Sequence, residues 1–371
     1  MVEEHDGHSR RHQVAQRTID NEWVLFRQSG RGGSGESYDF CMSMTFPEPD
    51  HLDDYLLDPT HEAELSQVQA RRDSVKAEGV IASKYWGGIQ WRIVVTFSVC
   101  AVLWATVLVL GMNGTIPLWI GLIVNTVLAA SFYMPMHEAV HKNIWGKVSS
   151  GRVVEELIGM LCSVPLLMPF RNHRASHMRH HAYTNDPDRD PDHFSQGELR
   201  ELPLKILSIT SINALLPLIA FIPPMRKLLH PAIARANKAS ANKAEGLMQL
   251  RFWLITHVVL LVAVLTGFGW PAFLLWYLPA RLQLGWLLLV FAWYPHHRGD
   301  NQGRYVDTRV AVFPGSTFLI RGHDHHALHH LFPRVAHYRL PAMWQEMAAD
   351  LVPKGVRAEG RALQATGPIV W

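Results

Sequence analysis

A chain of 371 residues is long enough for two ordinary soluble domains, but its hydrophobic residues, 48% of the total, gather in long uncharged runs, the pattern of a membrane protein. A formal net charge of +3 with dispersed basic residues offers no nucleic-acid surface. The three cysteines, Cys41, Cys100 and Cys162, lie far apart and form no CxxC pair, which argues against a disulfide framework and a cysteine-held iron-sulfur centre.

Taken in chain order, residues 1–90 are polar, with a Gly/Ser-rich stretch from Ser29 to Ser37 and a helix-like stretch from Thr60 to Ala77. They are expected to form a largely disordered cytosolic extension. The N-terminus lacks the apolar core of a signal peptide, so the internal spans are expected to direct insertion. The runs Ile93 to Met112 and Thr115 to Met136 carry no charge, and each can cross a hydrocarbon core of about 30 Å. Asn113 and Gly114 between them predict a tight antiparallel turn.

Val153 to Phe170 is short and contains Pro165, and Leu202 to Met225 carries Lys205 and three prolines; both are expected to be interfacial or re-entrant. A second apolar pair, Phe252 to Phe268 and Trp270 to Tyr294, is broken by Gly267, Gly269 and Pro271 and predicts another hairpin. Arg281 interrupts its second arm and is expected to be structural, paired with a backbone carbonyl or a carboxylate. Lys84 and Arg92 precede the first span, many basic residues follow the second, and neither hairpin turn carries Lys or Arg. The positive-inside rule then puts both termini and the central region in the cytosol. The expected architecture is an all-α integral membrane fold, four transmembrane helices in two hairpins under a cytosolic helical cap, with the membrane domain at 91–345 and a C-terminal tail at 346–371.

Most of the 22 histidines fall in four places. HEAVH follows the second span and puts His137 and His141 on one helical face. HMRHH places His177, His180 and His181 at i, i+3 and i+4, and HALHH repeats that spacing with His326, His329 and His330. His296 and His297 stand where the fourth span ends, and either can add a ligand. Eight to ten imidazoles on one side of the membrane are too many for one ion and match two. Nitrogen ligands alone do not name the metal, but a centre at the mouth of an apolar bundle suits O2 chemistry on an alkyl chain, which favours iron.

HEAVH also satisfies HExxH, the zinc-protease signature in which Glu138 would be general base. That reading leaves both HxxHH boxes without purpose. A metal transporter would place its ligands near the bilayer midplane, whereas these histidines follow the span ends. Only His257 lies well inside a span, which disfavours a bis-His haem protein. His173, His193, His323 and His325 are expected beside the ligands and not among them. Asp188, Asp190 and Asp192 are either a solvated acidic turn or acceptors for the outer nitrogens of ligating imidazoles. Asp307 and Arg309 form an ion pair or bind a polar head group.

The ordered boxes HEAVH, HMRHH and HALHH, with the flanking HMRHHAYTNDPDRDPD, PHHRGDNQGRYVDTR and HHLFPRVAHYRLP, resemble the membrane fatty acid desaturase superfamily, which includes acyl desaturases, lipid hydroxylases and carotenoid hydroxylases and ketolases. The resemblance covers residues 90 to 345. It implies a di-iron centre on His137, His141, His177, His180, His181, His326, His329 and His330, with His296 the ninth ligand in preference to His297. No catalytic residue beyond the metal ligands is implied. It further implies O2 as co-substrate and a lipid or acyl substrate, with electrons from a separate ferredoxin, rubredoxin or haem carrier and its reductase. Desaturation of a fatty-acyl chain is the expected reaction, with hydroxylation of an alkyl lipid or carotenoid on the same ligands as the alternative. Asp324 departs from the Asn that many relatives carry two places before the last box.

Overall fold

The computed structural model describes residues 16–17, 22–31, 37–45, 59–146, 148, 151–212, 215, 243–297, 299 and 301–366. The chain divides into two units, 1–77 and 78–371. In the first, strands β1 (Gln16–Arg17), β2 (Glu22–Arg31) and β3 (Ser37–Thr45) form an antiparallel sheet in the order β1-β2-β3. The Glu22↔Thr45 pairing runs through a register shift to Arg31↔Ser37. No strand is expected here from the sequence, because backbone pairing across a Gly/Ser-rich link needs no apolar alternation. The middle of that link, 32–36, lies outside the described residues. Helix α1 (Pro59–Ser83) runs beyond the expected Ala77. Its end is held by Glu78, a buried carboxylate that accepts from Tyr305 Oη at 2.7 Å and pairs with Lys354 at 2.9 Å and Arg304 at 3.2 Å.

Among the described residues, four helices are long and apolar enough to cross a bilayer: α2 (Trp91–Met112), α3 (Leu118–Val140), α7 (Lys243–Leu265) and α8 (Gly269–His296). They form the two expected hairpins. Gly114, at φ +70°, closes the first turn in a conformation that a side chain would strain. Spans α2 and α7 turn Val95, Val99, Val102, Ile255, Val258 and Leu261 outward, an apolar surface suited to lipid. Spans α3 and α8 bury far more of their surface, so they form the inner pair.

Two π-helical stretches, Phe273–Tyr277 and Leu288–Trp293, interrupt α8. Such turns widen the helix and free carbonyls, which need partners inside a membrane. Asn125 of α3 donates to Leu275 O at 2.7 Å. Leu275 itself packs where a Cβ on Gly111 or Gly121 would collide with it. The second π stretch lies directly before His296 and sets the face on which that imidazole emerges.

Helices α4 (Arg152–Leu166) and α5 (Phe170–Tyr183) meet at 100°. Arg152 donates to Lys142 O and Gly146 O at the end of α3, and His177 of α5 returns to His141. The start of α4 and the middle of α5 therefore both lie beside the same end of α3, an arrangement that suits a re-entrant segment. The last carbonyls of α4 lack i+4 partners, and within the backbone Val164 O is met by the cap N–H of Leu167 at 3.4 Å. Side chains of α8 supply donors: Trp276 to Val164 O at 2.7 Å, Gln283 to Leu166 O at 3.4 Å and Arg281 to Leu167 O at 3.4 Å. Arg281 is thus paired with a backbone carbonyl. Of Leu202 to Met225, α6 (Leu202–Leu207) and a π turn Ser208–Ile212 are described; most of the remainder lies outside the described residues.

Beyond α8, strand β4 (Arg309–Val312) pairs in parallel with β5 (Arg357–Gly360), and the helices α9 (Ser316–Leu319), α10 (His326–Leu331) and α11 (Leu340–Leu351) complete a cap. Its core packs Leu328 and Leu331 of α10 on Met343, Trp344 and Met347 of α11, fixing the last histidine box from behind.

Candidate metal centre

Helix α3 ends at Val140, so His137 sits in its last turn and His141 at its cap. Helix α5 brings His177, His180 and His181, α10 brings His326, His329 and His330, and the end of α8 brings His296. Their ring nitrogens converge in two sets, His137, His141, His177 and His329 in one and His180, His296, His326 and His330 in the other, with the ligand atoms of each set within 4.8 Å of one another.

In the first set Nε2 contacts run His137 to His329 at 3.1 Å and His177 to His141 at 2.9 Å. In the second they run His180 to His296 at 3.2 Å, His296 to His326 at 2.8 Å and His330 to His326 at 3.1 Å. Nitrogens about 2.1 Å from a shared ion lie roughly 3.0 Å apart at right angles and roughly 3.4 Å apart in a tetrahedron. The spacing fits one ion in each set. His181 Nε2 lies outside both tight fours, 3.1 Å from that of His177 and 3.0 Å from that of His329, with its ring stacked at 4.2 Å on His330.

Protonation of His141, His326, His329 and His330 is disfavoured, whereas the Asp190 carboxylate beside His180 raises that ring's affinity for a proton. Burial pushes His141 down to about 4, and burial with neighbouring imidazoles holds His326, His329 and His330 well below the usual histidine range. Neutral rings keep the lone pair that a metal needs.

With Nε2 turned inward, each ring carries its proton on Nδ1, and the surroundings accept it in the second set. Asp190 Oδ1 accepts from His180 Nδ1 at 2.8 Å. Thr184 Oγ1 spends its own proton on His180 O at 2.8 Å, leaving a lone pair for His330 Nδ1 at 3.2 Å. His323 Nδ1 lies 2.9 Å from His326 Nδ1. Of the three loop carboxylates weighed from sequence, Asp190 takes the role of acceptor, Asp188 is exposed, and Asp192 Oδ2 stands 3.9 Å from His180 Nδ1. Nothing in the sequence pointed to Thr184. Its signal was a hydroxyl four residues after a boxed histidine, too common to weigh.

Glu138 faces away from the converging nitrogens. Asn143 Nδ2 donates to its Oε2 at 2.7 Å, while His337 donates to Oε1 from its backbone N at 2.9 Å and lies 2.7 Å away through Nδ1. Both carboxylate oxygens are engaged in tying α3 to the chain after the third box. Asp324 is likewise a brace: its Oδ2 accepts from Ser316 at 2.7 Å and Thr317 at 3.1 Å, and its Oδ1 lies 2.9 Å from His325 Nδ1. His297 packs its ring 4.3 Å from that of Trp293, and His173 packs 5.5 Å from Tyr133. Arg309 pairs with Glu359 at 2.7 Å and not with Asp307. Beside the converging rings, a polar cavity of about 380 Å³ reaches His181 and His330 between Thr184, Arg189, Arg304 and Asp307.

Comparison with known proteins adds an independent finding. A family model described as fatty acid desaturase matches residues 113–359. A probable fatty acid desaturase of Sorghum bicolor is 28% identical over 237 residues, covering 57% of this chain and 58% of the relative. An sn-1 acyl-lipid omega-3 desaturase (ferredoxin) of Synechocystis sp. is 27% identical over 236 residues, covering 59% and 64%. The alignments thus span less than two thirds of each relative's length.

Proposed function

This chain belongs to the fatty acid desaturase family, and from that premise we propose that it uses O2 to oxidise an unactivated C-H bond of a lipid-borne acyl chain, with desaturation as the reaction. The two buried four-histidine sets carry the reading. The ligands are His137, His141, His177, His180, His181, His296, His326, His329 and His330. Two iron ions held there would supply O2 activation and hydrogen abstraction, chemistry that amino-acid side chains lack.

The chain's own residues bind, orient and exclude water. Tyr133 and Phe291 pack at 4.6 Å, and Phe291 lies 4.3 Å from His323; these rings wall the centre on the side of the bundle, where an alkyl chain would enter. Desaturation takes two hydrogens from the chain and two electrons with two protons from outside, and reduces O2 to two waters. Hydroxylation keeps one oxygen in the product and releases one water. The external electrons call for a separate carrier, and the Synechocystis relative is named for ferredoxin. The charge asymmetry around the spans supports a cytosolic centre with both termini on that side. The engagement of Glu138 leaves the zinc-protease reading without its base.

Mass spectrometry of lipids from cells expressing the chain tests the reaction: a product two mass units lighter is expected, and a gain of one oxygen would assign hydroxylation instead. His329→Ala should abolish turnover and lower bound iron from about two per chain. One zinc per chain, with activity kept in His329→Ala and lost in Glu138→Gln, would overturn the oxidative reading.

A further inference from the structure

The two histidine sets differ in what stands behind them. In the second set, three of four imidazoles have an acceptor at the outer nitrogen: Asp190 for His180, His323 for His326 and Thr184 for His330. His296 Nδ1 in the second set and His137 Nδ1 in the first are both buried without a partner, but among the described residues the hydrogen bonds of the other first-set rings, His141, His177 and His329, also run only through Nε2.

His323 is the least expected member. If His326 ligates through Nε2, its Nδ1 carries the proton and His323 Nδ1 must accept it. His323 then holds its own proton on Nε2, an atom buried without a partner. In that arrangement His323 holds His326 in the tautomer that presents Nε2 to a metal. Outer acceptors of this kind lock ring rotation and tautomer before the ion arrives, and a carboxylate acceptor also raises the basicity of the ligating nitrogen.

We infer that the two metal positions are unequal, and that the one ringed by His180, His296, His326 and His330 fills first and more tightly because Asp190, His323 and Thr184 pre-orient its ligands. This rests on the ligand assignment proposed above. The opposing effect is His181, which gives the first set a fifth nearby imidazole but leaves its other rings unbraced.

Titration of the metal-free, detergent-solubilised full chain with Co(II), read by visible absorption and metal analysis, tests the inference without catalysis. Two binding steps at least about tenfold apart are expected, the tighter one absent in His296→Ala and kept in His137→Ala. His323→Leu, which cannot accept a hydrogen bond, should weaken the tight step by about 10- to 100-fold and spare the other. His323→Gln, whose amide oxygen can accept, should stay near the parent, and it keeps the test open if His323→Leu does not fold. A tight step lost in His137→Ala and kept in His296→Ala, equal steps in the parent, or His323→Leu moving both steps alike or neither would overturn the inference. Fewer than two Co(II) per chain in the parent would overturn the ligand assignment itself, and the inference with it.

Discussion

At the scale of single residues, burial disfavours protonation of His141 and of the last histidine box, while Asp190 works the other way on His180, and the His141 shift has a pH consequence. His141 is pushed from an ordinary value near 6.5 to about 4, so the folded protein resists a proton that the unfolded chain accepts. Between about 6.5 and 4 the unfolded state binds more protons, and stability must fall as pH falls. Metal-free protein should therefore lose thermal stability steadily on acidification from pH 7 to pH 5, with His141 alone contributing on the order of 3 kcal/mol at full effect. Melting curves in detergent check this, and a flat or rising profile would contradict it. Glu138 makes the complementary case. Its oxygens hold Asn143 and His337, so Glu138→Gln should lower stability by about 1–3 kcal/mol while leaving metal content unchanged. Metal analysis beside the melting curve separates that outcome from loss of a catalytic base.

Among the elements, the bent pair α4 and α5 depends on a neighbouring span for its end. A helix that ends among membrane spans leaves carbonyls that no water reaches. Trp276, Arg281 and Gln283 of α8 cover Val164, Leu166 and Leu167, so the fourth span is both a wall of the bundle and a cap for α4. Trp276→Phe, which keeps the ring and removes the donor, should destabilise by about 1–3 kcal/mol. Because α5 carries the second histidine box, the same change should also loosen metal binding. An unchanged melting temperature would show that the Leu167 N–H suffices for Val164 O. Arg281 in mid-span was legible in sequence as a residue needing a partner, but the partner was not, since it comes from a segment more than a hundred positions away.

For the whole molecule, the centre exists because five segments meet at one end of the bundle, the ends of α3 and α8 with α5, α10 and the loop after α5. That geometry requires Leu199 and Val306, both exposed, to lie on the side opposite Asn113. In a variant lacking Cys41, Cys100 and Cys162, Leu199→Cys and Val306→Cys should react with an impermeant thiol reagent from one side and Asn113→Cys from the other. Labelling of Leu199→Cys from the side of Asn113 would make the pair α4 and α5 a crossing and break the shared centre. The spans and the boxes were legible from sequence because both are periodic: an uncharged run states its own length, and histidines three and four apart share a face whatever lies around them. The strands of the first unit were not, since their pairing carries no apolar period. Nor did the sequence decide which imidazoles share an ion, that Asp190 and not Asp188 stands behind His180, that Asp324 braces α9, or that Glu138 turns from the metal toward His337. Those depend on contacts between residues far apart in the chain, which local spacing does not encode and packing alone fixes.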